Sequence, residues 1–266
     1  MEIKKRSSLA IQRDVIFALF LRELRVRFGT YKLGICWAFI EPVAFITVLT
    51  AIRTAGFKSM GAQTDVHGIP FAIFFMLGFM LYSLFQKVSL QASDAINANR
   101  QLFAYRQVRV LDAVLARVLL ESIIWLSVIV ILTLGLMWLG MNIQMVDFLR
   151  FLSAVFGLLL VGFGLGVFFC VVKQRVREME KVLKILMAPM LFISGVFFSL
   201  DQVPAKYRGY LDWNPVLHAI ELARGAAYGS YSSIGVSMFF LYSCGIALTF
   251  LGLATYRLEW RRIVAS

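Results

Sequence analysis

Negative charge is scarce in this chain: 15 Asp and Glu stand against 27 Lys and Arg in 266 residues, and charged residues of both signs reach only 16%. Soluble domains carry about a quarter, so a water-solvated globule is excluded. A disordered chain is excluded too, because 60% of the residues are hydrophobic and the mean hydropathy is +0.79. Histidine occurs twice and cysteine three times. Cys36, Cys170 and Cys244 all lie in apolar runs, which leaves neither a disulfide framework nor a zinc spacing, and no metal site is expected. The phosphate-cradling pattern Gly-x-x-x-x-Gly-Lys-Ser/Thr is missing; the nearest fragment, Gly56-Phe-Lys-Ser, has the wrong spacing. ATP chemistry, if any, belongs to another chain. No short apolar stretch with a small-residue cleavage site follows the charged start, so the N-terminus is expected to be retained.

What the chain does contain is long apolar runs, at about 34–52, 70–90, 115–140, 150–172, 183–200 and 234–256. A helix needs roughly 20 apolar residues to cross the hydrocarbon, so these predict an all-α polytopic membrane protein with six spans. The basic residues give it a direction. Eight Lys and Arg precede the first run, five lie in 87–117, five in 173–184 and three in the C-terminal tail, leaving six for the other side. Basic loops stay in the cytoplasm, so both termini are predicted cytoplasmic. Spread over four loops, these charges form a topology signal and not an aromatic-interleaved nucleic-acid face.

Several segments do more than cross. Before the first span, Ile16, Phe20, Leu24 and Phe28 recur every fourth residue, with Arg22, Glu23, Arg25 and Arg27 on other faces and Glu23 and Arg27 spaced as an i,i+4 pair. Such a helix can lie along the inner leaflet with Arg22, Arg25, Arg27 and the following Lys32 at the headgroups, or simply anchor the first span. Glu41-Pro42 puts a carboxylate and a helix breaker inside that span, where an acid is a functional candidate or a packing partner. Glu121 has Arg117 one turn before it. From Asp94 to Asp112, amides, arginines and the apolar Leu102, Phe103 and Tyr105 suggest a helix that buries a face against a partner. The 173–184 segment reads as a solvated helix end with Glu180 and Lys184 paired, and Gly162-Phe-Gly-Leu-Gly166 as a helix-packing face.

The segment from about 201 to 233 is too long for a plain connection. Asn214 can cap, and Pro215 can open, a helix carrying His218, Glu221 and Arg224 at i, i+3 and i+6. A polar network beneath an external re-entrant helix is expected, with Trp213, Tyr207 and Tyr210 at the interface or on sugar.

These blocks resemble a known family. Leu33-Gly-Ile-Cys-Trp-Ala-Phe-Ile-Glu-Pro42, after a basic amphipathic helix, resembles the opening signature of the membrane subunit of type 2 ABC exporters. Ser194-Gly-Val-Phe-Phe-Ser, then Pro204 and Trp213-Asn-Pro-Val-Leu-His-Ala-Ile-Glu-Leu-Ala-Arg224, is similar to the external re-entrant region of their capsule-polysaccharide export branch. Asn97-Ala-Asn-Arg-Gln-Leu-Phe-Ala-Tyr-Arg106 resembles the cytoplasmic connection of that branch. The run Gln174-Arg-Val-Arg-Glu-Met departs from the wider superfamily, which often has an Arg-Asp pair there.

The resemblance implies a homodimeric permease subunit in the bacterial inner membrane, with a cytoplasmic ABC ATPase holding the ATP and Mg, and no cofactor in this chain. It implies export of anionic, lipid-linked capsular polysaccharide, with a periplasmic co-polymerase and an outer-membrane channel as further partners. On this reading residues 1–33 form the cytoplasmic N-terminus and interfacial helix, and 34–256 the six-helix domain. Within it lie the cytoplasmic connections 91–114 and 173–182 and the external segment 201–233, and 257–266 is the tail. Trp37, Glu41, Tyr82 and Gln86 are expected on the substrate pathway, and Asn97, Asn99, Arg100, Phe103 and Arg106 at the ATPase contact. Other readings are an exporter of O-antigen, teichoic acid or a drug, a gradient-driven transporter, or a lipid-modifying enzyme using Glu41 or Glu121 with His218. Against the last, Glu41 and His218 are predicted on opposite sides; against the transporter, no inverted repeat is evident.

Overall fold

The computed structural model describes residues 7–28, 34–59, 65–104, 108–143, 145–229, 231 and 235–265. Because hydrocarbon offers the backbone no hydrogen-bond partner, long apolar runs resolve into helices that satisfy themselves. The described residues are mostly helical and contain no strand, apart from an isolated bridge between Val66 and Ile69.

The interfacial helix α1 spans Ser8–Phe28. Five helices are long and apolar enough to cross a membrane: α2 (Gly34–Ser59), α3 (Phe71–Ser93), α5 (Val110–Trp138), α6 (Phe148–Arg175) and α10 (Met238–Ala265). Short helices α4 (Ala95–Asn99), α8 (Ala205–Arg208) and α9 (Pro215–Ala227) fill connections.

The span expected at 183–200 is shorter than its apolar run. Helix α7, Met179–Ile193, has 15 residues, about 22 Å at 1.5 Å per residue. Pro189 lies inside it, and Gly195, at φ 70°, turns the chain just past its end. Helix and turn together still traverse the bundle alongside α3. The Tyr82 hydroxyl donates to the Met187 carbonyl, and farther along Arg224 bonds the carbonyls of Phe74 and Val196. Going down α3 thus means going up α7, and the chain passes a sixth time from one end of the bundle to the other.

Helix α3 is the central post; all of it is buried except Phe79, Gln86, Lys87, Leu90 and Gln91. Helix α6 packs between α3 and α10, and its glycines divide the work. Gly162 and Gly166 face α3, where a Cβ on Gly166 would lie 2.4 Å from the Ala92 Cβ. Gly164 faces α10, where a Cβ would lie 2.4 Å from the Thr249 backbone nitrogen, and Gly252 answers it from α10 at 2.9 Å from the Gly164 carbonyl. Lipid tails give helices no hydrophobic reason to associate, so close backbone approach through small residues supplies the attraction.

One end of the bundle gathers α1, α4, the start of α5 and the last turns of α3, α6 and α10, where Arg175 meets Glu259 at 3.5 Å and Lys173 meets Asp94 at 2.7 Å. The opposite end gathers α8, α9 and the 66–69 turn, and holds residues 146–147 through bonds from Val146 and Asp147 to the carbonyls of Ala227 and Ala226.

Candidate functional site

At the basic end, α1 and α5 are joined by two charge pairs. The expected local pairs, Glu23 with Arg27 and Arg117 with Glu121, are exchanged across the helices. Arg117 holds Glu23 through Nε and Nη2 at 3.0 and 3.1 Å, and Arg27 pairs with Glu121. Spacings of four residues on each helix make these two rungs of one ladder. Arg22 donates to Asn99 of α4, and Asn99 in turn donates to Glu23 at 3.0 Å. The arginines expected at the headgroups therefore divide: Arg22 and Arg27 bond within the protein, Arg25 is exposed, and Lys32 lies outside the described residues.

Beside the ladder is a cavity of 320 Å³ lined by Arg27, Phe28, Trp37, Ala38, Glu41, Lys87, Ile124 and Trp125. It brings together two expected pathway residues, Trp37 and Glu41, with Arg27. It adds Lys87 and Trp125, which the sequence does not single out; the one signal is a lysine inside an apolar run, which the basic-residue count assigns to the following loop. The Lys87 ammonium lies 5.9 Å from the Trp125 ring centroid. Gln86 is half-buried on α3 and does not line this cavity, and Tyr82 is shut between α3 and α7 at 2% exposure.

The connection after α3 is gripped from two sides. Asn99 ties it to α1 as above. On the other flank, the buried Lys173 of α6 reaches Asp94 at 2.7 Å and the Ser93 hydroxyl at 3.0 Å, while Gln174 donates to Asn97 at 3.0 Å. Arg100 is exposed. Phe103, expected on a partner-facing surface, packs in part with Leu102 on the protein's own small core around Leu19, Ala95 and Val110. Arg106 lies outside the described residues.

At the opposite end Asn214 accepts from Val216 N–H at 3.0 Å and Pro215 opens α9, which is the cap the sequence spelled. Asn214 also donates to the Ser194 hydroxyl at 2.9 Å. Arg224 is wholly buried; it bonds the carbonyls of Gly195, Phe74 and Val196 at 2.7, 3.0 and 3.1 Å, pairs with Glu221 at 3.2 Å, and lies 3.5 Å from the Phe74 ring centroid. A Cβ on Gly78 would be 2.2 Å from the Arg224 Nη2, so this glycine makes room for the guanidinium. Tyr231 donates to Glu221 at 2.8 Å. Burial pushes the Glu221 carboxyl above its ordinary range, against the pull of Arg224 and Tyr231. The His218 ring accepts from Ser237 N–H at 2.9 Å through Nδ1, which leaves Nε2 to donate to the Asp212 carbonyl at 2.8 Å. Trp213 stays exposed, its Nε1 donating to the Tyr210 carbonyl. This network pins α9 to α3 and to the turn after α7, and a charge buried that well serves the fold. Among the described residues no group of His, Cys, Asp and Glu has the arrangement to hold a metal ion.

Comparison with known proteins agrees with this architecture. Residues 14–228 match the family described as ABC-2 type transporter. The chain is 37% identical to the polysialic acid transport protein KpsM of Escherichia coli, over 98% of this chain and 99% of that protein. It is 32% identical to the capsule polysaccharide export inner-membrane protein BexB of Haemophilus influenzae, covering 93% and 92% of the two. With CtrC of Neisseria meningitidis serogroup A, which carries the same description, it shares 29% identity over 93% and 91%. An interfacial helix, six passages of the bundle and a family match running from α1 through α9 converge: the chain belongs to the ABC-2 type transporter family.

Proposed function

We propose that this chain is the inner-membrane permease subunit of an ATP-driven exporter of lipid-linked capsular polysaccharide. Near full-length identity to KpsM, at 37%, is the observation that carries this reading. The subunit works as a homodimer with the channel between its two copies and both termini in the cytoplasm. A separate ABC ATPase supplies ATP and Mg, and a periplasmic co-polymerase and an outer-membrane channel take the polymer onward. No covalent chemistry occurs in this chain.

The double grip on residues 94–99 supports a mechanism. Closure of the ATPase pair presses on the 94–112 connection near Asn97, Asn99, Arg100, Phe103 and Arg106. Because Asn99 is bonded to Arg22 and Glu23, and Asp94 to Lys173, the push reaches α1 and α6 together. Helix α2 follows α1 in the chain, and its only buried residues among Cys36–Gly56 are Pro42 and Ile46, so α2 moves at little packing cost. Trp37, Glu41 and Gln86 then line the polymer's path, and Tyr82 joins them when α7 swings from α3. Aromatic faces slide along sugar rings without selecting a linkage. The external residues Trp213, Asn214, His218, Glu221 and Arg224 hold the far end in shape.

Inverted membrane vesicles supplied on their outer face with radiolabelled lipid-linked polymer test the proposal. Uptake driven by ATP and indifferent to ionophores is expected; uptake that an ionophore abolishes and ATP does not drive would assign the chain to gradient-coupled transport.

A further inference from the structure

We infer that the half-open cavity bordered by α1, α2, α3 and α5 binds the head group of an aminophospholipid, a lipid that presents a phosphodiester and a primary ammonium side by side. This goes beyond the export reading and does not rest on it.

The chemistry of the walls is bipolar and incompletely answered. Lys87 and Glu41 both line the cavity, and among the described residues neither has an ion-pair partner. Trp125 is 5% exposed, and its indole Nε1 has no acceptor. Lys87 and Glu41, unpaired charges of opposite sign lining one cavity with Arg27, indicate a guest that carries both an anion and a cation. A phosphodiester accepts from Lys87 and Arg27. A primary ammonium donates to Glu41.

Simpler guests leave part of this unanswered. A plain anion meets Lys87 but is repelled by Glu41. A quaternary ammonium has no N–H to give a carboxylate. The volume, 320 Å³, falls at the small end of the roughly 300–1,000 Å³ of ligand sites, which suits a head group and not a whole lipid. Depth agrees: Lys87 is six residues from the end of α3 and Glu41 seven from the start of α2, both toward the basic end where α1 lies. Phe28, Trp37 and Ile124 offer an apolar wall to the glycerol and the first methylenes. Since α2 buries so little of itself, a head group bridging Glu41 of α2 to Lys87 of α3 is a strut between α2 and the bundle.

The test uses the full-length protein, with any subunit that accompanies it, in nanodiscs of phosphatidylethanolamine, phosphatidylcholine or phosphatidylglycerol with identical acyl chains. Native mass spectrometry reads retained lipid and thermal melting reads stability. Phosphatidylethanolamine should be retained about tenfold more than either other lipid, a preference of roughly 1.4 kcal/mol, and should raise the melting point. Glu41→Gln and Lys87→Met should each erase the preference, while Lys87→Arg, which keeps the phosphate donor, should preserve it. Equal retention of phosphatidylethanolamine and phosphatidylcholine overturns the inference, as does a preference that survives in Glu41→Gln. Selective retention of phosphatidylglycerol overturns it in favour of an anion site, the form a negatively charged cargo linker would take.

Discussion

The Glu23 carboxylate of the interfacial helix α1 is held by both forks of the Arg117 guanidinium of α5, at 3.0 and 3.1 Å, and each side chain is about nine-tenths buried. Bidentate geometry fixes orientation as well as distance. The interfacial helix is thereby bolted to the third membrane passage, and does not simply float on the leaflet.

Glu23→Gln and Arg117→Met should each destabilise the protein strongly, by about 3–5 kcal/mol, because each leaves one buried charge unpaired. The swap Glu23→Arg with Arg117→Glu should recover more than half of the loss. Melting curves of the four proteins in one detergent check it; a swapped protein no more stable than either single variant would show that the pair does not act as a unit.

Gly78→Ala should abolish accumulation of folded protein, since its Cβ would sit 2.2 Å from the Arg224 Nη2 amid bonds to three carbonyls. Gly135→Ala, on the same kind of apolar helix but with nothing within 4 Å, should be silent. Yield of monodisperse protein on gel filtration separates the two, and equal yields would refute the packing argument.

Lys173→Met removes the tie from α6 to Asp94 and Ser93. The expected result is a complex that still assembles and hydrolyses ATP but exports polymer at about a tenth of the wild-type rate or less, a coupling loss near 1.4 kcal/mol. Parallel assays of hydrolysis and export check it; an unchanged ratio of the two would remove the α4 grip from the mechanism.

Cysteines introduced singly as Trp37→Cys, Glu41→Cys and Tyr82→Cys, in a background lacking Cys36, Cys170 and Cys244, should differ in labelling by a water-soluble maleimide. Positions 37 and 41 should react at rest, whereas position 82 should react only during ATP turnover. Labelling of position 82 at rest would contradict its burial against α7, and lasting protection of all three would remove them from the path.

Much of the fold was legible because run length and basic-residue bias are local, additive signals. Helices α2, α3, α5, α6 and α10 follow from them directly. Helix α7 matched less well because Gly195 turns the chain just past Ile193, while connectivity still requires the crossing. At the site, Glu41 and Trp37 stood out as polar or aromatic groups in an apolar run. Lys87 did not, because a charge six residues from a helix end reads equally well as loop or membrane. The Glu23 and Arg27 partners could not be read, since a four-residue spacing satisfies a local pair and a cross-helix ladder alike. Arg224 was recognisable as a network member, but its carbonyl partners on Phe74, Gly195 and Val196 come from segments distant in sequence, and backbone acceptors leave no mark on composition.

The central claim is that this chain is one half of a machine whose motor is a different polypeptide. Affinity purification of the tagged chain from native membranes in mild detergent, followed by quantitative mass spectrometry, tests it most directly. The account predicts a P-loop ATPase of separate sequence co-eluting in equal copy number. A chain that elutes without any ATPase, repeatedly and in several detergents, would contradict it.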